Sequence, residues 1–399
     1  MYKKILAVAA VGLMSGAGLC FAQGEKQVST PYQFTVVKEV PATPVKDQYS
    51  SGTCWSFAGI GLMESELLRM GKGEYDLSEM WVVRHGYLDR ARKYVRMHGK
   101  AEFAQGGSFC DVVNAIRDYG IVPDEVYTGL QYGSDKHRHS ELESLLQGYV
   151  HAVIGNQNGA LTPNWTVGLN GILDAYLGED IESFVYEGVE YTPQSFAKHL
   201  GLDMDNYVSI TSYTHHPFYS TYAIEVPDNW AWGLSYNVPL DELMEILNNA
   251  INEGYAVNWG ADVSEPGFVY SKGFAVLPDS ASENNENTEW SKWENMSDNS
   301  KRALISNATE PFDEITVTQE LRQVEFDNYK TTDDHGMLIT GIAVDQNGNT
   351  FYKVKNSWDT SNIYDGYIYA SESYVRAKTL NICMHKDAIP KHIRKKLGI

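Results

Sequence analysis

The sequence is poor in cysteine, proline and basic charge, and it has no long apolar run beyond its first two dozen residues. With 13 Pro and 34 Gly among 399 residues, and 43% hydrophobic residues, its composition excludes collagen-like and disordered classes. The 32 Lys and Arg against 52 Asp and Glu give a net charge of −20. Nucleic acid is therefore not expected as a partner, because proteins that bind it present a basic stripe. The length allows two or three domains, or one fold with large insertions.

Residues 1–22 have the pattern of a secretory signal. Lys3 and Lys4 precede an apolar run from residue 5 to residue 19, and the small residue Ala22 stands before Gln23. We therefore expect the chain to be exported, to the periplasm or out of the cell. No later stretch contains 18 uninterrupted apolar residues, so we expect no membrane span.

Three cysteines follow this segment, namely Cys54, Cys110 and Cys383. The number is odd, so at least one thiol has no disulfide partner. Cys110 lies among apolar residues of a predicted helix and Cys383 in a predicted strand, and both are expected to be core thiols. Cys54 differs from these two because it stands at the predicted start of a helix and not within an apolar segment.

The remaining chain divides into four parts. An arm at 23–43 leads to a helical lobe at 44–127, then to a helical insertion at 128–253 and a β-rich lobe at 254–399. Apolar spacing and capping residues predict helices near 54–68, 79–97, 111–119, 172–177, 193–200 and 239–252. A stretch at 279–299, crowded with Ser, Asn and Glu, predicts an exposed loop.

Two strands, at 337–344 and 350–355, flank the turn sequence Asp-Gln-Asn-Gly-Asn at 345–349. That turn is typical of a β-hairpin, whose open ends lie together. His335, just before the first strand, and Asn356, just after the second, are therefore expected to lie at the same end of the hairpin.

These residues complete a nucleophilic set with Cys54. Backbone N–H groups at a helix start favour a thiolate, and an adjacent imidazolium favours it further. His335 would act as the base, and the side-chain oxygen of Asn356 would orient its ring. Gln48, six residues before the cysteine, could donate an N–H to a developing oxyanion alongside the Cys54 amide.

With Gln48, Cys54, His335 and Asn356 in this order, the sequence resembles the papain-like cysteine peptidases. Further motifs in the same order are Cys54-Trp55-Ser56-Phe57, Leu77-Ser78-Glu79, Gly106-Gly107, Tyr119-Gly120-Ile121-Val122-Pro123 and Asn356-Ser357-Trp358. Within that family it is most similar to the bleomycin hydrolase or aminopeptidase C branch, through Ser51, the segment 254–263, the long insertion before the histidine, and Asp334-His335-Gly336-Met337.

The resemblance implies an α+β, two-lobed papain-like fold, with a helical left lobe, a β-barrel-like right lobe and a large helical insertion. It also implies an aminopeptidase of peptide substrates that forms a homo-oligomer, commonly a hexamer, and needs no metal or other cofactor. Trp55 and Trp358 are expected to support the site, with Trp358 shielding the bond between His335 and Asn356. Gly106, Gly107 and Asp334 are expected to contact substrate.

In that branch a C-terminal arm enters the cleft, and its terminal carboxylate holds the substrate amine. Here residues 390–397 are predicted to be helical, and a helix advances only about 1.5 Å per residue, so the arm is expected to fall short. An endopeptidase or an amidase with an open cleft therefore remains an alternative. So does a binding or scaffold protein that has the fold without turnover. The sequence leaves side-chain specificity and oligomeric state open.

Two histidine pairs, at 137 and 139 and at 215 and 216, have no carboxylate or cysteine at ligand spacing. No metal site is predicted at either pair.

Overall fold

The computed structural model describes residues 30–279 and 296–399. The predicted signal at 1–22 and most of the predicted loop at 279–299 lie outside the described residues. Among the residues it describes, no helix is long and apolar enough to cross a membrane.

The helical lobe contains three helices, α1 (Cys54–Arg69), α2 (Glu79–Arg96) and α3 (Phe109–Tyr119). The Ser78 hydroxyl caps α2 by accepting a bond from the Trp81 amide, and Ser108 and Asp111 form a capping box at the start of α3. Gly120, at φ 75°, ends α3. All three predicted helices are confirmed to within one or two residues. Helix α1 is buried from Trp55 to Leu67 because it lies between the other two helices and the sheet.

The segment 128–253 is less helical than expected. Its helices are α4 (Ser140–Ile154), α5 (Asn164–Leu177), α6 (Pro193–Leu200) and α7 (Leu240–Asn252), and its strands are β2 (Phe184–Tyr186), β3 (Val189–Tyr191), β4 (Tyr207–Thr211), β5 (Thr221–Ala223) and β6 (Leu234–Asn237). Strands β4 to β6 extend the main sheet. The second half of this segment is therefore continuous with the β-rich lobe.

The remaining strands are β1 (Thr35–Glu39), β7 (Val257–Ala261), β8 (Phe268–Val269), β9 (Phe274–Ala275), β10 (His335–Val344), β11 (Thr350–Lys355), β12 (Tyr367–Ser371) and β13 (Thr379–His385). The helices among them are α8 (Asp298–Ser306), α9 (Gln319–Asp327), α10 (Glu372–Lys378) and α11 (Lys391–Leu397). The order across the sheet is β5-β6-β4-β13-β7-β10-β11-β12-β9-β8, and β1 pairs with β10.

The predicted hairpin is confirmed. Strands β10 and β11 pair antiparallel, with Leu338 opposite Lys355 at the open end. The Asp345 carboxylate accepts bonds from the amides of Asn347 and Asn349, both at 2.8 Å, and so fixes the turn.

A cluster of charged side chains joins α1 and α2 to the hairpin formed by β10 and β11. The Lys46 ammonium lies 3.2 Å from the buried Glu64 carboxylate and 2.7 Å from that of Glu79. Thr43 donates to Glu64 and accepts a 3.0 Å bond from Lys355 on β11. This network of hydrogen bonds joins α1 to β11.

Candidate active site

The fold brings together the two ends that carry the predicted nucleophile and base. Cys54 is the first residue of α1, and His335 is the first residue of β10. A Cβ placed on Gly336 would lie 3.3 Å from the Trp55 Cα and 3.5 Å from the Cys54 carbonyl carbon, so the two backbones are in contact here. Cys54 and His335 line the same cavity.

The imidazole of His335 is oriented by Asn356. Its Nε2 lies 2.7 Å from Asn356 Oδ1, which also accepts a 2.8 Å bond from the Ser357 amide. Because that oxygen can only accept, Nε2 carries the proton and Nδ1 is left free to take one. The Trp358 ring lies beside this pair, with its centroid 4.5 Å from that of His335.

Burial opposes ionisation of the Cys54 thiol and, separately, of the His335 imidazole. It raises the pKa of Cys54 to about 12, although a bond from the Gly336 amide favours the thiolate. It also lowers the pKa of His335 to about 4, against the bond to Asn356. A thiolate and an imidazolium formed together would each supply the opposite charge that the isolated buried group lacks. The thiolate expected at the helix start therefore stays a prediction.

Gln48, six residues before Cys54, is buried. Its Nε2 donates to the Ser51 carbonyl at 2.7 Å, and its Oε1 accepts a 2.6 Å bond from the Ser357 hydroxyl. One amide hydrogen is thus engaged and one remains. Gln48 is not among the residues that line the cavity with Cys54, so its oxyanion role stays a prediction.

Trp55 and Gly107 line one side of the cavity, whereas Gly106, also expected to contact substrate, is not among the lining residues. The indole Nε1 donates to the Gln105 carbonyl at 3.0 Å, and a Cβ on Gly107 would come within 2.9 Å of the ring. Gly107 lines the cavity. A Cβ on Gly106 would overlap the carboxylate of Asp228, a residue that the sequence did not single out.

The cavity receives residues from both lobes. Among the residues that the structure describes, its lining includes three carboxylates and no Lys or Arg. The Asp334 carboxylate accepts hydrogen bonds from the backbone amides of Val263 and Ser264. These bonds stabilise part of its negative charge and fix the backbone after β7. Burial and mutual repulsion raise the pKa of Asp333 to about 7, and burial and the Glu102 charge raise that of Asp228 to about 6. The cleft therefore favours a cationic group.

Asp228 is held over the cleft by Arg90. The guanidinium lies 3.7 Å from the Asp228 carboxylate and 3.5 Å from that of Glu102, and it donates to the Gly106 carbonyl. The segment 224–235 supplies seven of the lining residues, namely Ile224, Val226, Asp228, Asn229, Gly233, Leu234 and Ser235. Nothing in the sequence pattern of this segment indicates its place, since its position depends on β5 and β6 joining the sheet.

The three described cysteines are all free thiols. Cys383 is fully buried in β13, as expected. Cys110 is half-buried and lines the catalytic cavity, so its interpretation as a core thiol was wrong. Its side chain points to the loop before β6, where Gly233 packs against its sulfur.

The end of the chain lies away from the cleft. Helix α11 packs on α7, where Lys396 pairs with Glu242 at 2.5 Å and His392 faces Glu245 at 3.5 Å. The Ile399 amide bonds back to the Arg394 carbonyl at 3.2 Å. None of residues 390–399 lines the cavity that contains Cys54.

Two family models match the chain. The model described as the papain family cysteine protease matches residues 30–147, and that of the peptidase C1-like family matches residues 179–275 and 308–398. The first range contains Cys54, and the last contains His335 and Asn356. The chain belongs to the papain-like cysteine peptidases. It is thus an enzyme of this class.

This papain-like peptidase is 22% identical to aminopeptidase C of Streptococcus thermophilus over 91% of its own chain and 84% of the relative. It is 21% identical to the mitochondrial cysteine proteinase 1 of Saccharomyces cerevisiae (strain JAY291) over 91% of this chain and 79% of the relative. The solved structure of PepW from Lactobacillus rhamnosis HN001 superposes with a TM-score of 0.70 at 20% identity, over 93% of this chain and 85% of that one. The expected papain-like α+β fold is confirmed.

Proposed function

We propose that this peptidase is an aminopeptidase that removes residues from the free amino end of peptides. Cys54 is the nucleophile, His335 is the general base and acid, and Asn356 is the positioning residue. Gln48 and the Cys54 amide stabilise the oxyanion.

The proposed reaction begins when Cys54 passes its proton to Nδ1 of His335. The sulfur attacks the scissile carbonyl carbon, and the carbonyl oxygen becomes the oxyanion that receives N–H bonds from Gln48 and the backbone. His335 then returns the proton to the leaving amine, and the acyl group stays on sulfur. Water, deprotonated by His335, releases the amino acid and restores the thiol.

The observation that supports an amino-end specificity is the charge of the cavity. Asp228 and Asp333 line it together with Cys54, and the described lining residues include no Lys or Arg. The guanidinium of Arg90, behind the lining, lies 3.7 Å from Asp228 and offsets part of its charge, whereas Asp333 has no cation among the lining residues. A substrate ammonium placed between the two carboxylates would neutralise their mutual repulsion and gain charge-assisted hydrogen bonds. We assign to these two side chains the recognition of the substrate amine, a role that the family resemblance gives to a terminal carboxylate.

The test compares aminoacyl fluorogenic amides that have a free amine with the same compounds after N-acetylation. An aminopeptidase hydrolyses the free-amine series at least about a hundredfold faster in kcat/KM. Equal rates on both series would instead support an endopeptidase or an amidase with an open cleft, and would refute the amino-end proposal.

Export and assembly belong to the same proposal and have separate tests. The pattern of residues 1–22 supports cleavage before Gln23, which an intact mass measurement of protein from the native host would show. Retention of Met1 in a cytoplasmic fraction would contradict it. The resemblance to the bleomycin hydrolase branch supports a hexamer, which light scattering would distinguish from a monomer. A monomer at all concentrations measured would contradict it.

A further inference from the structure

Three potential metal ligands meet at one point on the far side of the cavity wall. His215 and His216 follow β4, and Glu225 follows β5. The Nε2 atom of His216 lies 2.8 Å from Glu225 Oε1, and that of His215 lies 3.1 Å from Oε2. All three ligand atoms fall within 4.8 Å of one another. The carboxylate that the sequence lacks beside this histidine pair is thus supplied by the fold.

Both imidazole rings are held in place by aromatic neighbours. His215 stacks on Phe326 at an interplanar angle of 14°, and His216 stacks on Tyr222 with centroids 4.1 Å apart. The two histidine side chains are still 28% and 35% exposed, so an ion from solvent can reach them. The backbone is fixed as well, because the buried Asn237 amide donates to the carbonyls of Tyr213 and His216.

The other ring nitrogen of His215 has its own support. Gln323 places its Nε2 at 3.0 Å and its Oε1 at 3.4 Å from His215 Nδ1, so the amide can pair with either tautomer. Gln323 is itself fixed by a 2.9 Å bond to Asp327 and by a 2.6 Å bond from the Thr214 amide. When Nε2 binds a metal, Nδ1 carries the proton and donates a hydrogen bond to Gln323 Oε1. Such support for the second nitrogen is a regular feature of histidines that bind metals.

We propose that His215, His216 and Glu225 form a binding site for one Zn²⁺ ion, with water as the fourth ligand. Two imidazole nitrogens and a carboxylate oxygen are a ligand set that suits zinc. Around a tetrahedral zinc, ligand atoms at about 2.0–2.1 Å from the metal lie roughly 3.3 Å apart. The observed nitrogen-to-oxygen distances of 2.8 and 3.1 Å run to Oε1 and Oε2 respectively, so a small rotation of the carboxylate would place one oxygen near this spacing from both nitrogens.

The ion would act on structure and not on the reacting atoms. Glu225 lies between Ile224 and Val226, and both neighbours line the catalytic cavity. Zinc would join this segment to the loop that follows β4, and through Gln323 to α9. It would therefore hold the wall that carries Asp228.

The test is isothermal titration of the full chain carrying Cys54→Ala with ZnCl₂, because the Cys54 thiol and His335 could otherwise capture the ion. One zinc per chain is expected. Glu225→Gln and His216→Ala, each in the same background, should weaken binding by at least about tenfold. The matched control is His392→Ala, which removes a surface histidine that faces a single carboxylate and should leave zinc affinity unchanged.

Two results would overturn the proposal. One is the absence of zinc binding to the Cys54→Ala chain, and the other is undiminished binding in both ligand variants. Melting curves without metal provide the folding check, and the isosteric Glu225→Gln is expected to keep the parent melting temperature. Zinc should raise that temperature in the parent chain and not in Glu225→Gln, which gives a second readout independent of activity.

Discussion

Replacing Asp228 by asparagine would remove one of the two charges that we assign to the substrate ammonium. Asparagine has nearly the same size, so the close packing against Gly106 would be kept. Arg90 would retain Glu102 and the Gly106 carbonyl as partners, and the fold should therefore survive. We expect kcat/KM to fall only for substrates with a free amine.

The magnitude follows from Coulomb's law. Two unit charges about 5 Å apart interact by about 3 kcal/mol at an effective dielectric constant of about 20. The Asp228 side chain is 30% exposed and shares its charge with Arg90 at 3.7 Å, which reduces this figure. A net loss of about 1.4–2.7 kcal/mol corresponds to a ten- to hundredfold fall in kcat/KM.

The assay measures kcat/KM on matched free-amine and N-acetylated substrates. The control is Glu102→Gln, which removes the other carboxylate on Arg90 but lies outside the cavity lining. We expect the free-amine substrate to lose ten- to hundredfold in Asp228→Asn only, and the acetylated substrate to be unaffected. An equal loss on both substrates, or the same loss in Glu102→Gln, would refute the assignment.

The pH dependence provides a further check on the same charges. The pKa values of about 6 for Asp228 and 7 for Asp333 mean that both carboxylates lose protons between about pH 5 and pH 8. For free-amine substrates, kcat/KM should rise across this range, because only the ionised carboxylates attract an ammonium. In Asp228→Asn the rise should move to lower pH, since the Asp228 charge is one cause of the raised pKa of Asp333.

Other variants test other parts of the site. Gln48→Ala should lower kcat by about 10²–10³ with little change in KM, and a loss below about threefold in steady-state kinetics would remove Gln48 from the oxyanion site. Asn356→Ala frees Nε2 of His335 and should lower kcat at least about tenfold with an altered pH profile, whereas Asn356→Asp keeps an acceptor and should lose less. Glu64→Gln removes the buried negative charge that lies beside the Lys46 ammonium. It should lower the free energy of unfolding, measured by urea denaturation, by about 2–3 kcal/mol. A change below about 0.5 kcal/mol would contradict the importance of that cluster.

The sequence predicted where Cys54, His335 and Asn356 lie in the fold because the signals that place them are local. A helix start places Cys54, and a turn with a strong residue preference fixes the hairpin that brings His335 and Asn356 to one end. The three helices of the first lobe have clear caps, and they were predicted for the same reason.

What the sequence missed depends on packing between distant segments. Strands β4 to β6 are three to five residues long and show no usable alternation, so their addition to the sheet was not foreseen. The cavity wall with Asp228 and the approach of Glu225 to the histidine pair both follow from that addition. The raised pKa of Cys54 comes from burial, which local sequence does not report.

The central claim is that the Cys54 sulfur attacks the substrate carbonyl with His335 as its proton acceptor. Its most direct test is hydrolysis of a free-amine aminoacyl fluorogenic amide by the wild-type chain and by Cys54→Ala, with folding of both checked by circular dichroism. We predict turnover by the wild type and none above background by Cys54→Ala. Undiminished turnover by a folded Cys54→Ala chain would contradict the claim.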